Sequence, residues 1–477
     1  MNEERISAEV LSQYPEPDRA AVEQALQREV QANRRKIVVL DDDPTGVQTV
    51  HDIHVYTDWG MESLRQGFAE ENKLFFVLTN SRGFTVEQTT RVHTEIARNV
   101  DAVAKEFGMD YLIISRGDST LRGHYPLETD LLRTVAEQAS GRKTDGEILC
   151  PYFKEGGRFT IGDVHYVRYG DELVPCGQTE FARDETFGYH ASDLKEYIEE
   201  KTKGAFPAEQ VVSIRLESLR AMDYDGITAQ LMAVTGANKV VVNAIDDVDV
   251  QVFAVALYRA MAAGKVFSIR CAAALVKAIG GISSRPLLTR AEMVTRSSEN
   301  GGIIVVGSHT QKTTAQLEAL KKLPGIEFIE LDSDKVLVPG ALEAERDQVV
   351  ARAAQRIAQG KTVCISTRRK LLVVEGDTPE AALVRSVQIS DALQSCVGLL
   401  PVAPAFVVAK GGITSSDVGT KALQVRCALV LGQIAPGVPV WRTGEESRFP
   451  GVPYVIFPGN VGEVQTLHDA VQVLMGV

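Results

Sequence analysis

Within the nine residues Ser115 to Gly123, S-R-G-D-S-T-L-R-G, the chain places two arginines, one aspartate and two adjacent hydroxyls. Arg116 and Arg122 can each fork onto a carboxylate, and Ser119 and Thr120 can donate and accept hydrogen bonds to sugar hydroxyls. That chemistry suits a small polyhydroxylated acid. The plainer alternative is that Asp118 or Ser119 caps the following helix and that the arginines are solvated surface charges. A second cluster, Asp41-Asp42-Asp43-Pro44-Thr45-Gly46, sets three carboxylates side by side. Their repulsion raises at least one pKa and costs stability, which folds accept mainly where a cation, a metal or a proton transfer uses the cluster. Asp43 can cap a helix begun by Pro44, but this accounts for one aspartate only. Asp42 or Asp43 is therefore the candidate catalytic base.

The elements that must position these residues are legible around them. The apolar runs Lys36 to Leu40, Leu74 to Thr79, Tyr111 to Ser115 and Glu147 to Cys150 read as buried strands. Helical patterns alternate with them, which implies right-handed β-α-β units and puts the strand ends on one rim. Ligands of open α/β sheets bind outside the carboxyl ends of the strands. That rim collects Asp42, Asp43, Arg82 of Asn80-Ser81-Arg82-Gly83, Arg116, Asp118 and Arg122. From Arg158 to Asp184 the alternation T-I-G-D-V-H-Y-V, a Gly170-Asp171 turn and E-L-V-P predict a hairpin beside the sheet. His165 within it reads as packing or surface. Strands at Val211 to Leu216 and Lys239 to Asn243 and an amphipathic helix over Val248 to Ala263 follow, and helix capping explains Asp246-Asp247 nearly as well as a place in the crevice does.

A boundary lies within Gly280 to Gly301, after which a fresh α/β pattern opens. The strand Gly302 to Gly307 leads into Ser308-His309-Thr310 and a helix, a combination that favours phosphate because free amides and the helix dipole both attract an anion. Two later turns repeat the theme: Lys410-Gly411-Gly412-Ile413-Thr414-Ser415 after Ala405 to Ala409, and Pro458-Gly459-Asn460-Val461-Gly462 after Tyr454 to Phe457. Three glycine-rich, hydroxyl-bearing turns favour a nucleotide-binding rim over ordinary β-α turns. Lys410 reads equally as a phosphate ligand or a surface residue.

Composition narrows the class. At 477 residues the chain is long enough for two or three domains, and 44% apolar residues fit an ordinary α/β enzyme. A net charge of -12 argues against a nucleic-acid surface. Six dispersed cysteines without metal spacing fit a reducing cytosol, and no signal peptide or membrane-length apolar run is visible, so a soluble cytoplasmic protein is expected. Walker A, G-x-G-x-x-G, G-x-S-x-G and H-E-x-x-H sequences are missing.

With these residues assembled, the chain resembles the four-carbon acid sugar kinase family. The resemblance rests on D-D-x-T-G at Asp42 to Gly46, S-R at Ser81-Arg82, D-S-T-L-R-G at Asp118 to Gly123, G-R-x-T followed by G-D-V-H-Y-V, and T-E-F-A-R-D at Thr179 to Asp184. It continues with Gly307-Ser308, G-G-x-T-S at Gly411 to Ser415, and P-G-N-V-G at Pro458 to Gly462. It implies two Rossmann-like α/β domains with mostly parallel sheets flanking a central cleft, here an acid-sugar domain over 36–290 with the hairpin insertion near 158–184 and a nucleotide domain over 291–477; the helical leader over 1–35 is extra to the family. It implies phosphorylation of the terminal hydroxyl of a tetronate or 3-oxo-tetronate by ATP, with a branched acid such as 3-oxo-isoapionate as the alternative substrate. Asp42, Asp43, Arg82 and the loop Asp118, Ser119, Thr120, Arg122 and Gly123 become the sugar-acid site, joined by Arg116. Ser308, Gly411, Gly412, Ile413, Thr414, Gly459 and Asn460 become the nucleotide site. Magnesium is expected to arrive on ATP, without protein ligands, and a homodimer is admitted. Shorter members often carry Lys for Arg116, Ile or Val for Gly117, and Glu for Ile413. The competing classes are a nicotinamide-dependent hydroxy-acid dehydrogenase, disfavoured by the missing dinucleotide fingerprint, and a non-catalytic sugar-acid sensor, which has no need of an acidic triplet.

Overall fold

The protein is described by a computed structural model covering residues 4–295, 298–370, 372–374, 376–459 and 461–477. Its contacts divide the chain into two units, Met1–Gly46 with Asp58–Ser284, and Val47–Thr57 with Arg285–Val477. The short segment 47–57, placed with the first domain on sequence, therefore packs with the second unit: its strand Ile53–Tyr56 pairs antiparallel with Cys427–Ala435.

In the first unit, seven parallel strands run in the order Val212–Ile214, Asn238–Val242, Gly146–Cys150, Phe267–Cys271, Tyr111–Arg116, Lys36–Asp41, Leu74–Leu78. Lys36–Asp41, Leu74–Leu78 and Gly146–Cys150 are buried along their whole length, as the unbroken apolar runs require. Register aligns their carboxyl ends: Asp41 stands opposite both Leu78 and Arg116, and Cys271 opposite Arg116 and Cys150. The expected hairpin is present as Arg158–Ile161, Val164–Tyr169 and Glu172–Pro175, and the leader adds a further strand, Ile6–Ser7, against the last of these. The leader is thus not wholly helical. Its helix, Arg19–Ala32, buries Val22, Leu26 and Val30 and packs on Asp247–Ala262. That contact corrects the expectation of an amphipathic helix over 248–263. Helices Arg19–Ala32, Tyr224–Ala233 and Ala273–Gly280 all pack on it, so 12 of its 16 residues are buried. Asp246 is its N-cap, with Asp249 completing a capping box, so capping accounts for Asp246, while Asp247 in the first turn accepts from the Tyr152 hydroxyl at 3.2 Å.

In the second unit the order is Ile53–Tyr56, Cys427–Ala435, Val438–Thr443, Pro453–Phe457, Val407–Lys410, Ile303–Val306, Thr362–Thr367, Ile326–Leu331. The last five strands are mutually parallel, and the first three join the sheet antiparallel. Register again draws the ends level, with Lys410 opposite Val306 and Phe457. Among the described residues no helix is long and apolar enough to cross a membrane.

Candidate functional site

In the first unit the acidic strand end is resolved residue by residue. Asp41 is 1% exposed; its Oδ1 accepts from Arg116 at 3.1 Å, while its Oδ2 has no hydrogen-bond partner among the described residues. Burial pushes its carboxyl up to about 7, with Arg116 opposing and Asp42 and Asp43 adding to the rise. Gly46 makes this arrangement fit, because a Cβ there would stand 1.9 Å from Asp41 Oδ2. The Asp42 carboxylate is gripped by Arg82, through Nη2 at 2.8 Å and Nε at 3.3 Å. Asp43 accepts from the Thr45 amide at 2.8 Å, the Thr45 hydroxyl at 2.6 Å and Arg82 Nη1 at 3.2 Å. Burial would raise the Asp43 carboxyl, but Arg82 and Thr45 outweigh it and hold the group below the usual range. Of the pair named on sequence, Asp43 is the more accessible, its side chain 18% exposed against 2% for Asp42.

The arginines are engaged with these acids. Arg116 is buried against Asp41 and lies 3.7 Å from Asp42, and Arg82 bridges Asp42 and Asp43. Arg122 donates from Nε to Asp118 at 2.7 Å, and Thr120 donates its hydroxyl to the same carboxylate. Against its burial, Arg82 and Arg122 hold Asp118 well below the ordinary carboxylate range.

The loop is pinned by the hairpin and the segment after it. His165 donates from Nε2 to the Ser119 carbonyl at 2.8 Å, Tyr189 to that of Thr120 at 2.8 Å and Tyr197 to that of Leu121 at 2.9 Å. Burial pushes His165 down to about 4, so the ring is neutral and its Nδ1 accepts from Thr160 at 2.9 Å. His165 is thus packing, as expected, although what it packs is the backbone of the loop. Three consecutive carbonyls turned inward fix the backbone that carries Ser119, Thr120 and Arg122.

Sequence reading missed Arg270 and Glu128. Arg270, the penultimate residue of the strand Phe267–Cys271, stands opposite Ser115, and its Nη1 donates to Ser115 at 2.8 Å and to Glu128. Glu128 also accepts from Ser81 at 2.6 Å, and against burial Arg270 brings its carboxyl down to about 2. The two glycines of the loop make room for this pair. A Cβ on Gly117 would sit 2.2 Å from the Arg270 guanidinium carbon, and one on Gly123, at φ 125°, 2.8 Å from its Nη2. The available signal was F-S-I-R-C after Gly264, a strand run with arginine where Tyr111–Arg116 also has one.

In the second unit the three glycine turns meet. A Cβ on Gly307 would stand 2.3 Å from Thr414 Oγ1; one on Gly411, at φ 120°, would stand 3.2 Å from Ser308 Cβ; one on Gly459 would lie 3.7 Å from Ser308 Oγ. Thr313 donates its hydroxyl to Ser308 at 3.0 Å. These turns border a cavity of about 640 Å³ lined by Gly307, Ser308, Gly411, Gly412, Ile413, Thr414 and Gly459, with Leu383, Ile389 and Leu393 of the helix Pro379–Gly398 as an apolar wall. The volume and the mixed lining are those of a small-molecule site. Asn460 lies outside the described residues. Lys410 is not on the surface. It is fully buried over the Phe457 ring, its Nζ bonding the carbonyls of Pro458 at 2.5 Å and Gly459 at 3.3 Å, and burial pushes it down to about 7. Its strand register carries it under the last turn, which only the fold reveals.

Two domain descriptions match the chain: a sugar-binding N-terminal domain over residues 37–279 and a nucleotide-binding C-terminal domain over 303–467. None of the curated proteins matches it. Among solved structures, a Haemophilus influenzae protein is similar at 17% identity and TM-score 0.60, over 92% of this chain and 100% of its own. A Salmonella typhimurium LT2 protein, provisionally named a tRNA synthase, is similar at 16% identity and TM-score 0.64, over 92% of this chain and 99% of its own. Both likenesses concern the fold.

Proposed function

Because the chain belongs to the family that joins a sugar-binding N-terminal domain to a nucleotide-binding C-terminal domain, the architecture of the four-carbon acid sugar kinases, we propose that it phosphorylates the terminal hydroxyl of a four-carbon sugar acid, a tetronate or 3-oxo-tetronate, with ATP. The observation that carries this reading is the convergence of Gly307, Ser308, Gly411, Thr414 and Gly459 on one cavity in the nucleotide-binding unit. Backbone amides at such turns donate to phosphate oxygens, the described lining holds no carboxylate to repel them, and the apolar wall suits a base. In the sugar-binding unit, Ser119, Thr120 and Arg122 face the acid and its hydroxyls. Arg82 and Arg116 hold the aspartates in place.

Asp43 orients the attacking hydroxyl and accepts its proton. A carboxylate held low is a weak base, but phosphoryl transfer runs through a loose transition state in which positioning and electrostatics carry most of the rate. The hydroxyls of Ser308 and Thr414 are hard oxygen donors compatible with magnesium carried on the nucleotide. Among the described residues no group of three or more His, Cys, Asp or Glu is placed to hold a metal ion. When bound, the ion would offset charge on the β- and γ-phosphates. The test is ADP release from ATP and magnesium across D- and L-threonate, D- and L-erythronate, 3-oxo-tetronates and 3-oxo-isoapionate. Strong turnover of one acid is the expected result; folded protein that neither gains thermal stability from ATP nor turns over any acid would sink the reading.

A further inference from the structure

Five arginines stand at the carboxyl rim of the first unit or beside it, and four of them have carboxylate partners: Arg82 with Asp42 and Asp43, Arg116 with Asp41, Arg122 with Asp118, and Arg270 with Glu128. Arg158, at the start of the strand Arg158–Ile161, has none among the described residues. Its Nε is shielded from solvent without a hydrogen-bond partner. The guanidinium lies over the Phe181 ring at 5.4 Å, and Arg122 lies over the same ring at 5.1 Å. Desolvation lowers the Arg158 pKa, and Arg122 lowers it further against the pull of Asp118. Two cations therefore share one aromatic ring, and the carboxylates beside it, Asp118 at 2.7 Å and Asp184 at 3.8 Å, both pair with Arg122. A partly desolvated charge without a carboxylate partner is destabilising, and the ring's quadrupole offsets only part of that. An arriving anion would supply the remainder.

We propose that Arg158, with Arg122 beside it on Phe181, is the receptor for the carboxylate of the sugar acid, so that the acid rather than a neutral polyol is the preferred substrate. The inference rests on the sugar-acid kinase reading and extends it to the group that distinguishes acid from polyol. Arg158 binds by charge-assisted hydrogen bonds from a planar fork. The remaining rim arginines already have carboxylate partners, Arg82 and Arg116 among the aspartates and Arg270 at Glu128.

The experiment compares wild type with Arg158→Met, which keeps the apolar stem, and Arg158→Lys, which keeps the charge. Kinetics with threonate and erythronate should show KM for the acid raised about 30-fold in Arg158→Met, as expected for losing a charged hydrogen-bonding partner. KM for ATP should be unchanged, and Arg158→Lys should recover part of the loss. Thermal melting should show wild type stabilised by the acids and not by erythritol, with that preference gone in Arg158→Met. Without ligand, Arg158→Met should melt no lower than wild type, since it removes a half-buried charge that has no carboxylate partner among the described residues. A sugar-acid KM within threefold of wild type overturns the assignment and leaves the kinase reading standing. So does an unliganded Arg158→Met that melts far below wild type, which marks the arginine as structural. If wild type binds these acids through Arg158 but transfers no phosphoryl group to them, the kinase reading fails and the receptor stands. If no acid binds wild type, both fall.

Discussion

The two strand-end rims solve opposite electrostatic problems. In the sugar-binding unit the rim is dense in formal charge, with Asp41, Asp42, Asp43 and Asp118 laced to Arg82, Arg116 and Arg122. In the nucleotide-binding unit the described cavity lining carries no carboxylate, Arg385 is the permanently charged residue among the described lining, and the turns are built from glycine and hydroxyls. The difference teaches where each unit keeps its strain. The first buries a carboxyl, Asp41, pushed up to about 7; the second buries an ammonium, Lys410, pushed down to about 7. Each is a group that water would hold charged at neutral pH, and each lies beneath a strand-end turn, Asp41 against Gly46 and Lys410 against Pro458 and Gly459.

The largest expected effect lies on the charged rim. Asp43→Asn should lower kcat for the sugar acid about a thousandfold while its KM changes little, and a kcat within tenfold of wild type would remove Asp43 from the chemistry. On the glycine rim, Gly411→Ala puts a side chain at φ 120° and 3.2 Å from Ser308 Cβ. Strain of about 1–3 kcal/mol should weaken nucleotide binding about tenfold and leave sugar-acid binding alone. Calorimetry with each ligand checks this separation; an equal loss for both ligands would erase the contrast between the rims.

Opposite pH slopes should follow from the two buried groups. A carboxyl raised from 3.8 to about 7 binds its proton more tightly in the folded state. Its contribution is full below pH 4 and is lost as pH rises through 7, by up to about 4 kcal/mol. Lys410, lowered from 10.5 to about 7, is more readily protonated in the unfolded state, so stability rises with pH between 7 and 10.5. Paired melting curves should show Asp41→Asn gaining on wild type from pH 5 to 8, and wild type gaining on Lys410→Met from pH 7 to 9.5. Parallel curves for either pair would show that the group titrates near its ordinary value. The smallest effect is expected at His165. Replacing its neutral hydrogen bond to the Ser119 carbonyl with His165→Phe should raise the sugar-acid KM about threefold to tenfold. No change in KM would mean that Tyr189 and Tyr197 alone hold the loop.

Much of this was legible in the residues. Apolar runs ending in polar loops marked the strands, because a strand buried on both faces leaves no other pattern. The loop glycines at 117 and 123 were visible, but their reason was not, since it lies in Arg270, some 150 residues away in sequence and one strand over. The same limit hid the segment 47–57 in the second unit: I-H-V-Y reads as a strand anywhere, and only its pairing with Cys427–Ala435 decides which sheet it joins. The helix Asp247–Ala262 read as amphipathic because a window of sequence does not include Arg19–Ala32 lying on its other side.

By itself the sequence determined the local chemistry: which loops follow strands, which carry acid, arginine, glycine or hydroxyl, and the ordered set of motifs that names the family. Those properties depend on neighbours along the chain, and on backbone rules that act over a few residues. The tertiary structure alone decided how the charges are shared. That the Asp41 carboxyl is pushed up to about 7, that Lys410 holds the carbonyls of a turn, and that Arg158 has no carboxylate partner among the described residues are all sums over surroundings. Desolvation and ion pairing fall off steeply with distance in space, and distance in sequence carries no measure of it.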